Sequence, residues 1–536
     1  MHFSNSTSRP CGWLRYRRLI SGASAAIIAG TLVIVGGVTA SPSSATNGAK
    51  PSITISVNDA PLSLDPAESV NDADQQIFND LAYEPLIILN SNGDLVPGLA
   101  TSWKYANSSD KTFDLTLRSG VRFSNGQHLT AAAVVRSINW MKKAEGPEVV
   151  YVNNVASAQA IGPLTVRLHL VQANPVIALL LTQRFVFGGI IAPSGCANPK
   201  ILGTTTEGAG PYKLDAAATI PGSSYVFVPN PYYYDKSAIH FSTFTVDIIA
   251  NAQTALSAVE SGEVAYADGA WATAAAAKQH GVAVYSTLCG YYGVFLLDRA
   301  GVLVPALKSQ DVRRALNYAL NRVGITTAVF GPYGSPNDEV SIPGYEDEGY
   351  LPSLSNYYTY NIAKAKQLLA RAGYPHGFTM TIAAVASLGD GVELAEAVAS
   401  DWAKIGVTVD IKTYANLSAA IGPVVSKQIP AFMDNYDAQP MFIEASQLLA
   451  KYAGLFNIFE STDPQLTSLI AKGYASTTSG SAAVAAAWGA VESRVVALGW
   501  EIPIATGADV YFASSALKGI AVSPTSFTPN PEDWYY

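Results

Sequence analysis

The chain has 536 residues, 49% of them hydrophobic and only 14% charged. That is enough apolar material for several packed layers, and it excludes a disordered chain or a single small module. Against 41 Asp and Glu stand 33 Lys and Arg, a formal charge of −8, with no basic run beyond residue 40. Nucleic-acid binding, which needs a cationic footprint to release counterions, is therefore disfavoured.

Residues 1–40 carry Arg9, Arg15, Arg17 and Arg18, no acid, and then a small and apolar stretch from Leu19 to Ala40. This is the pattern of an export signal, and Val38-Thr39-Ala40 places cleavage before Ser41. Loss of the four arginines leaves 29 basic residues against 41 acidic ones, a charge of −12. The same stretch is about as long as the roughly 20 residues that span a bilayer, so an uncleaved anchor is the alternative. Arg17-Arg18 leaves the general and the twin-arginine export routes both open. Cys11 would leave with the signal, so Cys196 and Cys289 are the remaining cysteines, free to pair in an oxidising compartment or to stay apart.

Residues 41–50 are small and polar and read as a flexible spacer. Ile53, Ile55 and Val57 alternate with Thr54 and Ser56, which predicts the first strand. Phe113, Leu115 and Leu117 repeat the alternation and, with Val121-Arg122-Phe123 beyond Gly120, predict a hairpin or sheet edge. Thr130 stands at an N-cap before the apolar face Ala133, Val134, Ile138 and Met141. One helix is expected from Gln253 to Gly262, running into a strand over 264–268. Spacing over 311–330 predicts a single amphipathic helix whose buried face includes Val312, Ala315, Leu316, Ala319, Leu320 and Val323. A helix capped by Asn361 should end at Gly373, and another from Val392 should end at Gly406 and feed a strand through Val407, Val409 and Ile411. The segment 475–487 reads as a loop and a helix start. Helices feeding strands through single glycines imply an α/β architecture, and no fixed-period repeat is present.

Catalytic patterns are sparse. The six histidines are scattered without HExxH or paired CxxC spacing, so neither a zinc site nor another cofactor is expected. Gly203 to Ala209 looks like the start of a phosphate loop, but Ala209 stands where the lysine belongs and Glu207 would repel phosphate. Ser108-Ser109-Asp110-Lys111 matches the S-x-x-K of serine acyl enzymes, yet it precedes a strand and lacks the accompanying S-D-N and K-T-G elements. It reads as a solvated turn. A binder is favoured over an enzyme, with a secreted S-x-x-K hydrolase as the alternative.

The order of motifs then becomes specific. Leu64-Asp65-Pro66, Tyr83-Glu84-Pro85-Leu86 and Val96-Pro97-Gly98-Leu99-Ala100-Thr101-Ser102-Trp103 come first. Gly208-Ala209-Gly210-Pro211-Tyr212, Asn230-Pro231-Tyr232-Tyr233, Asp311-Val312-Arg313-Arg314-Ala315-Leu316 and Asp401-Trp402-Ala403-Lys404-Ile405-Gly406-Val407 follow. Over about residues 51–530 the chain resembles the extracytoplasmic solute-binding proteins of ABC importers, of the peptide/nickel type. The resemblance implies an α/β, two-lobed periplasmic-binding-protein-like fold with mixed sheets and a hinge. It places 51–82, 207–288 and 505–536 in lobe I, 83–206 in an extra subdomain of that lobe, and 289–504 in lobe II. It implies a monomeric receptor at the outer face of the cell membrane, whose partners are a peptide or other small organic solute and a membrane permease. A solute-sensing module on the same fold is the second alternative.

By the same resemblance the crossover near residues 289–292 lies at the cleft floor, making Tyr291 and Tyr292 candidates for solute contact. Peptide-binding relatives carry an acid that meets the peptide amine, in a region that here reads Phe432-Met433-Asp434-Asn435-Tyr436-Asp437. Asp434, Asn435, Tyr436 and Asp437 are therefore candidates, with Leu388 and Asp390 in the loop before the 392–404 helix, and with Trp271 and Asp65. Dipeptide receptors use an Arg at that loop to hold the peptide carboxylate, whereas no Arg lies between Arg371 and Arg494 here. A longer peptide, or an uncharged or cationic solute, is expected instead of a free dipeptide.

Overall fold

The computed structural model describes residues 50–536 except 71, 346–348, 387–390, 416, 452–455, 477–481 and 524–527, and only the backbone of residues 289 and 418. The expected export signal, nearly all of the spacer, Leu388 and Asp390 lie outside the described residues. Strand β1 (Ser52–Val57) buries Ile53, Ile55 and Val57 as its alternation predicts. Helix α1 (Ala73–Ala82) starts at Asp72, whose carboxylate accepts the Gln75 N–H at 2.7 Å. A two-stranded ribbon of β2 (Ile87–Leu89) and β3 (Leu95–Pro97) follows. Strands β4 (Ala100–Tyr105), β5 (Thr112–Leu117), β6 (Val155–Gly162) and β7 (Thr165–Leu170) then form an antiparallel sheet in the order β4-β5-β7-β6.

Strand β5 is thus an interior strand, paired with β4 and β7, and not a sheet edge. Beyond it only Arg122 bridges to His128, because the chain turns at once into α2 (Ala131–Ala144). Thr130 caps α2 as expected, its Oγ1 accepting the Ala133 N–H at 3.1 Å, and Ala133, Val134, Ile138 and Met141 are buried. Cys196 has its thiol beside the Ile191 carbonyl, and burial pushes it up to about 12, while the side chain of Cys289, its candidate partner, lies outside the described residues.

The chain next forms β8 (Tyr212–Leu214), β9 (Ser224–Pro229), β10 (Thr243–Ile248), α3 (Ala252–Ser261), β11 (Tyr266–Asp268), α4 (Trp271–Gln279) and the long β12 (Ala283–Phe295). The α3-to-β11 passage runs through Gly262 at φ +78°, the left-handed turn that glycine tolerates. Residues 311–330 depart from expectation by forming two helices, α5 (Gln310–Tyr318) and α6 (Arg322–Val329). Asn321 breaks the run by capping α6, its side chain accepting the Gly324 N–H at 3.1 Å while its own N–H donates to Asp401 at 2.7 Å. Val323 falls on the outer face and is 65% exposed.

Then come β13 (Gly334–Pro336), α7 (Ile362–Arg371), β14 (Thr379–Val385), α8 (Gly391–Ala403), β15 (Thr408–Tyr414), β16 (Phe432–Asp437), α9 (Pro464–Ala475), α10 (Ala482–Leu498) and β17 (Ile502–Ala513). The caps, stops and strands expected around Asn361, Gly373 and Gly406 are all present. No helix among the described residues is long and apolar enough to cross a membrane.

One mixed sheet organises the molecule, in the order β15-β14-β16-β12-β17-β11-β1-β10-β9-β8, with β13 also on β17. Strands β1, β10 and β11 run parallel to one another, and so do β14, β15 and β16. Between these sets lie the antiparallel β12 and β17, to which β16 and β11 are each joined antiparallel. The two sets therefore point in opposite directions. Asp268, at the carboxyl end of β11, pairs with Tyr511, and Asp437, at the carboxyl end of β16, pairs with Gly290 and through it reaches Gly507. The strand ends of both halves thus face each other across residues 507–511 of β17, a span of four residues, about 13 Å at the usual rise. Ligands of open α/β sheets lie beyond strand carboxyl ends, so this gap is where the fold offers a site.

Candidate functional site

The β12–β16 pairing gathers six of the predicted residues. Tyr291 stands opposite Tyr436, Tyr292 opposite Asn435, Gly293 opposite Asp434 and Gly290 opposite Asp437. The approach is close: a Cβ on Gly290 would sit 2.0 Å from the Tyr436 carbonyl oxygen, so only glycine fits there.

Strand alternation then separates their roles. Tyr291 and Tyr436 are buried in an aromatic layer with Phe295 and Phe456, ring centroids 4.9 to 6.3 Å apart. Tyr292 and Trp271 pack instead with Phe330, at 5.2 and 4.2 Å from the Trp271 ring, and the Trp271 indole N–H donates to the Ala508 carbonyl at 2.6 Å. Gly507 leaves room for the Tyr292 ring, which a Cβ there would meet at 2.4 Å. These four aromatic side chains are committed to packing around the strand crossing. Asp65 is committed as well: it is 2% exposed, caps the turn 66–68 through the Ala67 N–H at 2.9 Å, and accepts the Trp140 indole N–H at 3.1 Å. Burial pushes it up to about 6.

The polar positions of β16 remain half-buried at the gap. Burial, with the nearby charge of Asp437 adding to it, pushes Asp434 up to about 8, against the Asn435 N–H it accepts at 3.0 Å. Burial also pushes Asp437 up to about 6, with the Arg184 guanidinium opposing and Asp72 reinforcing the shift. Arg184, 3% exposed, donates to the Ala438 carbonyl just past β16, which also accepts the Tyr345 hydroxyl at 3.1 Å. The Tyr436 hydroxyl donates to Gln447 Oε1, and Gln447 Nε2 donates to the Tyr151 hydroxyl at 2.7 Å. Tyr151 and Arg184, from the segment between β2 and β8, are thereby tied to the end of β16.

Sequence reasoning missed the opposite side of the gap. Asp74, in the first turn of α1, accepts the N–H groups of Asn58 at 3.4 Å and Asp59 at 2.8 Å, just beyond β1. Asp268 ends β11, and Asp509 sits in the facing span of β17, with the Tyr511 hydroxyl 3.4 Å away. Burial raises Asp74, and the charge of Asp268 raises it further. Asp268 is pushed up to about 6, chiefly by burial. A usable signal existed, since Asp59 and Asp268 both fall at the carboxyl ends of predicted strands. A separate pocket of about 210 Å³ beside β12 and β17, walled by Ser286, Tyr333, Ser335 and Thr506 among others, contains none of the predicted residues.

Comparison with known proteins agrees with this architecture. Residues 94–454 match the family model described as bacterial extracellular solute-binding proteins, family 5. The glutathione-binding protein GsiB of Shigella dysenteriae serotype 1 is 27% identical over 361 residues, covering 66% of this chain and 67% of that protein. The periplasmic binding protein DppA from Helicobacter pylori, solved with the peptide STSA, superimposes with a TM-score of 0.78 at 19% identity, over 90% of this chain and 98% of that one. NikA from Brucella suis, solved with Fe(III)-EDTA, gives 0.73 at 21% identity, over 90% and 99% of the two chains.

Proposed function

The chain belongs to the bacterial extracellular solute-binding proteins of family 5, and on that premise we propose that it captures its solute in the gap between the opposed strand ends of β11 and β16. It is the receptor of an ABC importer, binding a peptide or other small solute. In our reading residues 51–82, 207–288 and 505–536 make one lobe, with 83–206 inserted in it, and 289–504 make the other. Hinge closure about β12 and β17 buries the solute and creates the surface that the permease recognises.

The opposed acidic strand ends carry this reading. Asp434, Asn435 and Asp437 supply polar contacts on one side, and Arg184 and Gln447 hold the segment that presents them. With no Arg between Arg371 and Arg494 to clamp a carboxylate, the solute is a peptide longer than a dipeptide, or an uncharged or cationic organic molecule. GsiB is named for glutathione, DppA was solved with a peptide and NikA with a metal chelate, and a solute of the first two kinds fits the donors and acceptors here. The protein acts as a monomer outside the cytoplasm and catalyses no reaction; Ser108 and Lys111 lie in the exposed turn between β4 and β5.

Native mass spectrometry of the purified protein, before and after unfolding and refolding, tests the reading. A defined co-purified mass that is lost on refolding, and whose retention falls in Asp434→Ala or Asp437→Ala, supports it. An empty protein that also ignores peptide and small-solute libraries overturns it.

A further inference from the structure

We propose that residues 530–535 form a proton-locked strap, held down by one acid proton shared along Glu84, the Tyr233 hydroxyl and Glu532, and that the strap loosens as its surroundings turn alkaline. The Tyr233 hydroxyl lies 3.0 Å from Glu84 Oε2 and 3.2 Å from Glu532 Oε2. The other Glu84 oxygen accepts the Tyr234 hydroxyl. Glu84 is wholly buried, and Glu532 is half-buried. Glu84 and Tyr233 come from two of the ordered motifs, Tyr83-Glu84-Pro85-Leu86 and Asn230-Pro231-Tyr232-Tyr233, which the gap between β11 and β16 leaves unused.

A phenol has one proton to donate, so it satisfies only one of two ionised carboxylates that face it. Whichever of the two acids carries it, both contacts are made only when one carboxyl is protonated and donates to the phenol oxygen. None of Glu84, Glu532 and the buried Asp80 of α1 is in an ion pair among the described residues. Asp80 and Asp533 add negative charge at Glu532, Asp235 adds it at Glu84, and the Tyr212 hydroxyl, which accepts the Phe241 N–H at 3.1 Å, also faces Glu532. Arg118 opposes them at Glu84, although its guanidinium donates to the Gly98 carbonyl at 3.2 Å and lies 4.5 Å from the Tyr234 ring, and His240 opposes them at Asp533. Burial pushes Glu84 up to about 7 and Asp80 up to about 8; it also raises Glu532, which the charges of Glu84 and Asp80 raise further. A released strap returns its glutamate to the ordinary value of about 4.3, so docking takes up a proton and weakens as pH rises from about 4 through neutrality. The strap also braces the sheet. Trp534 is wholly buried, 4.7 Å from the Tyr266 ring and 6.1 Å from that of Phe244, and the Tyr535 N–H donates to the Lys518 carbonyl at 3.1 Å. Tyr266 lies two residues before the carboxyl end of β11, the strand that borders the gap.

The test is hydrogen–deuterium exchange of the full chain at about pH 5 and about pH 9, followed by mass spectrometry of the peptide that carries residues 530–536, with rates corrected for the intrinsic pH dependence of amide exchange and referred to a peptide from β5. Wild type is expected to lose strap protection at least about tenfold at the higher pH, the factor that follows from moving a titration by one pH unit. In Glu532→Gln the amide N–H donates to Tyr233 without any acid proton, so the strap should be as protected at the higher pH as at the lower. Glu532→Ala lacks the contact and should show weak protection at both. A wild-type strap equally protected at the two pH values, or a Glu532→Gln profile that falls as wild type does, overturns the proposal.

Discussion

Buried charge is handled in opposite ways in two regions of the molecule. In the half that carries β14 to β16, Arg299 is wholly buried against Glu501, which also accepts the Leu296 N–H at 2.9 Å, and Arg322 pairs with Asp338 at 3.0 Å while donating to the Pro503 carbonyl at 2.8 Å. Glu492 accepts the N–H groups of Val340 and Ser341 at 3.0 and 3.3 Å. Around the gap, Asp268 has no ion-pair partner among the described residues and is pushed up to about 6, chiefly by burial. Charges paired with a cation pin one packing arrangement, while a buried acid without one shifts toward its neutral form.

The sharpest way to break this contrast is Arg299→Ala, which strands Glu501 without its cation. It is expected to cost about 3–5 kcal/mol of folding stability, read from urea denaturation. A loss below about 1 kcal/mol would show that the pair does not anchor that half. Asp65→Ala removes a cap and the acceptor for Trp140, and should cost about 1–2 kcal/mol while leaving solute retention unchanged. Lost retention in a stably folded variant would return Asp65 to the site.

Another effect concerns pH. Asp434 is raised from 3.8 to about 8 in the folded protein, so the folded state binds the proton more tightly than the unfolded chain does. Linkage then requires the stability of the empty protein to fall as pH rises from about 4 to about 8, and the slope to flatten in Asp434→Asn. Melting curves across that window check it, and a slope identical in both proteins rejects it. The smallest expected effect is that of Ser108→Ala, within about 0.5 kcal/mol and silent in solute binding, as befits an exposed turn.

Legibility followed the range of the forces involved. Alternation identified β1 and β5, and Thr130, Asn361 and Gly262 marked helix ends where the structure has them. The 311–330 segment was misread as one helix because apolar spacing continues through it, while Asn321 finds both its local cap and a distant carboxylate in Asp401. At the site, motif order led to Tyr291, Tyr292 and the 434–437 segment. It could not distinguish the aromatic side chains locked into layers with Phe295, Phe330 and Phe456 from the acids left at the gap.

Short-range preferences, written in neighbouring residues, were sufficient to determine the α/β grammar and the boundaries of several elements, and the order of motifs along the chain led to the family. The site depended on pairings between segments far apart in the chain: Asp268 with Tyr511, Gly290 with Asp437 and with Gly507. Burial and the field of distant acids decide which carboxylates are strained and which are satisfied, and neither is a property of the residues beside them in sequence. Only the folded sheet, by setting two families of strand ends against each other, brought Asp74, Asp268 and Asp509 together.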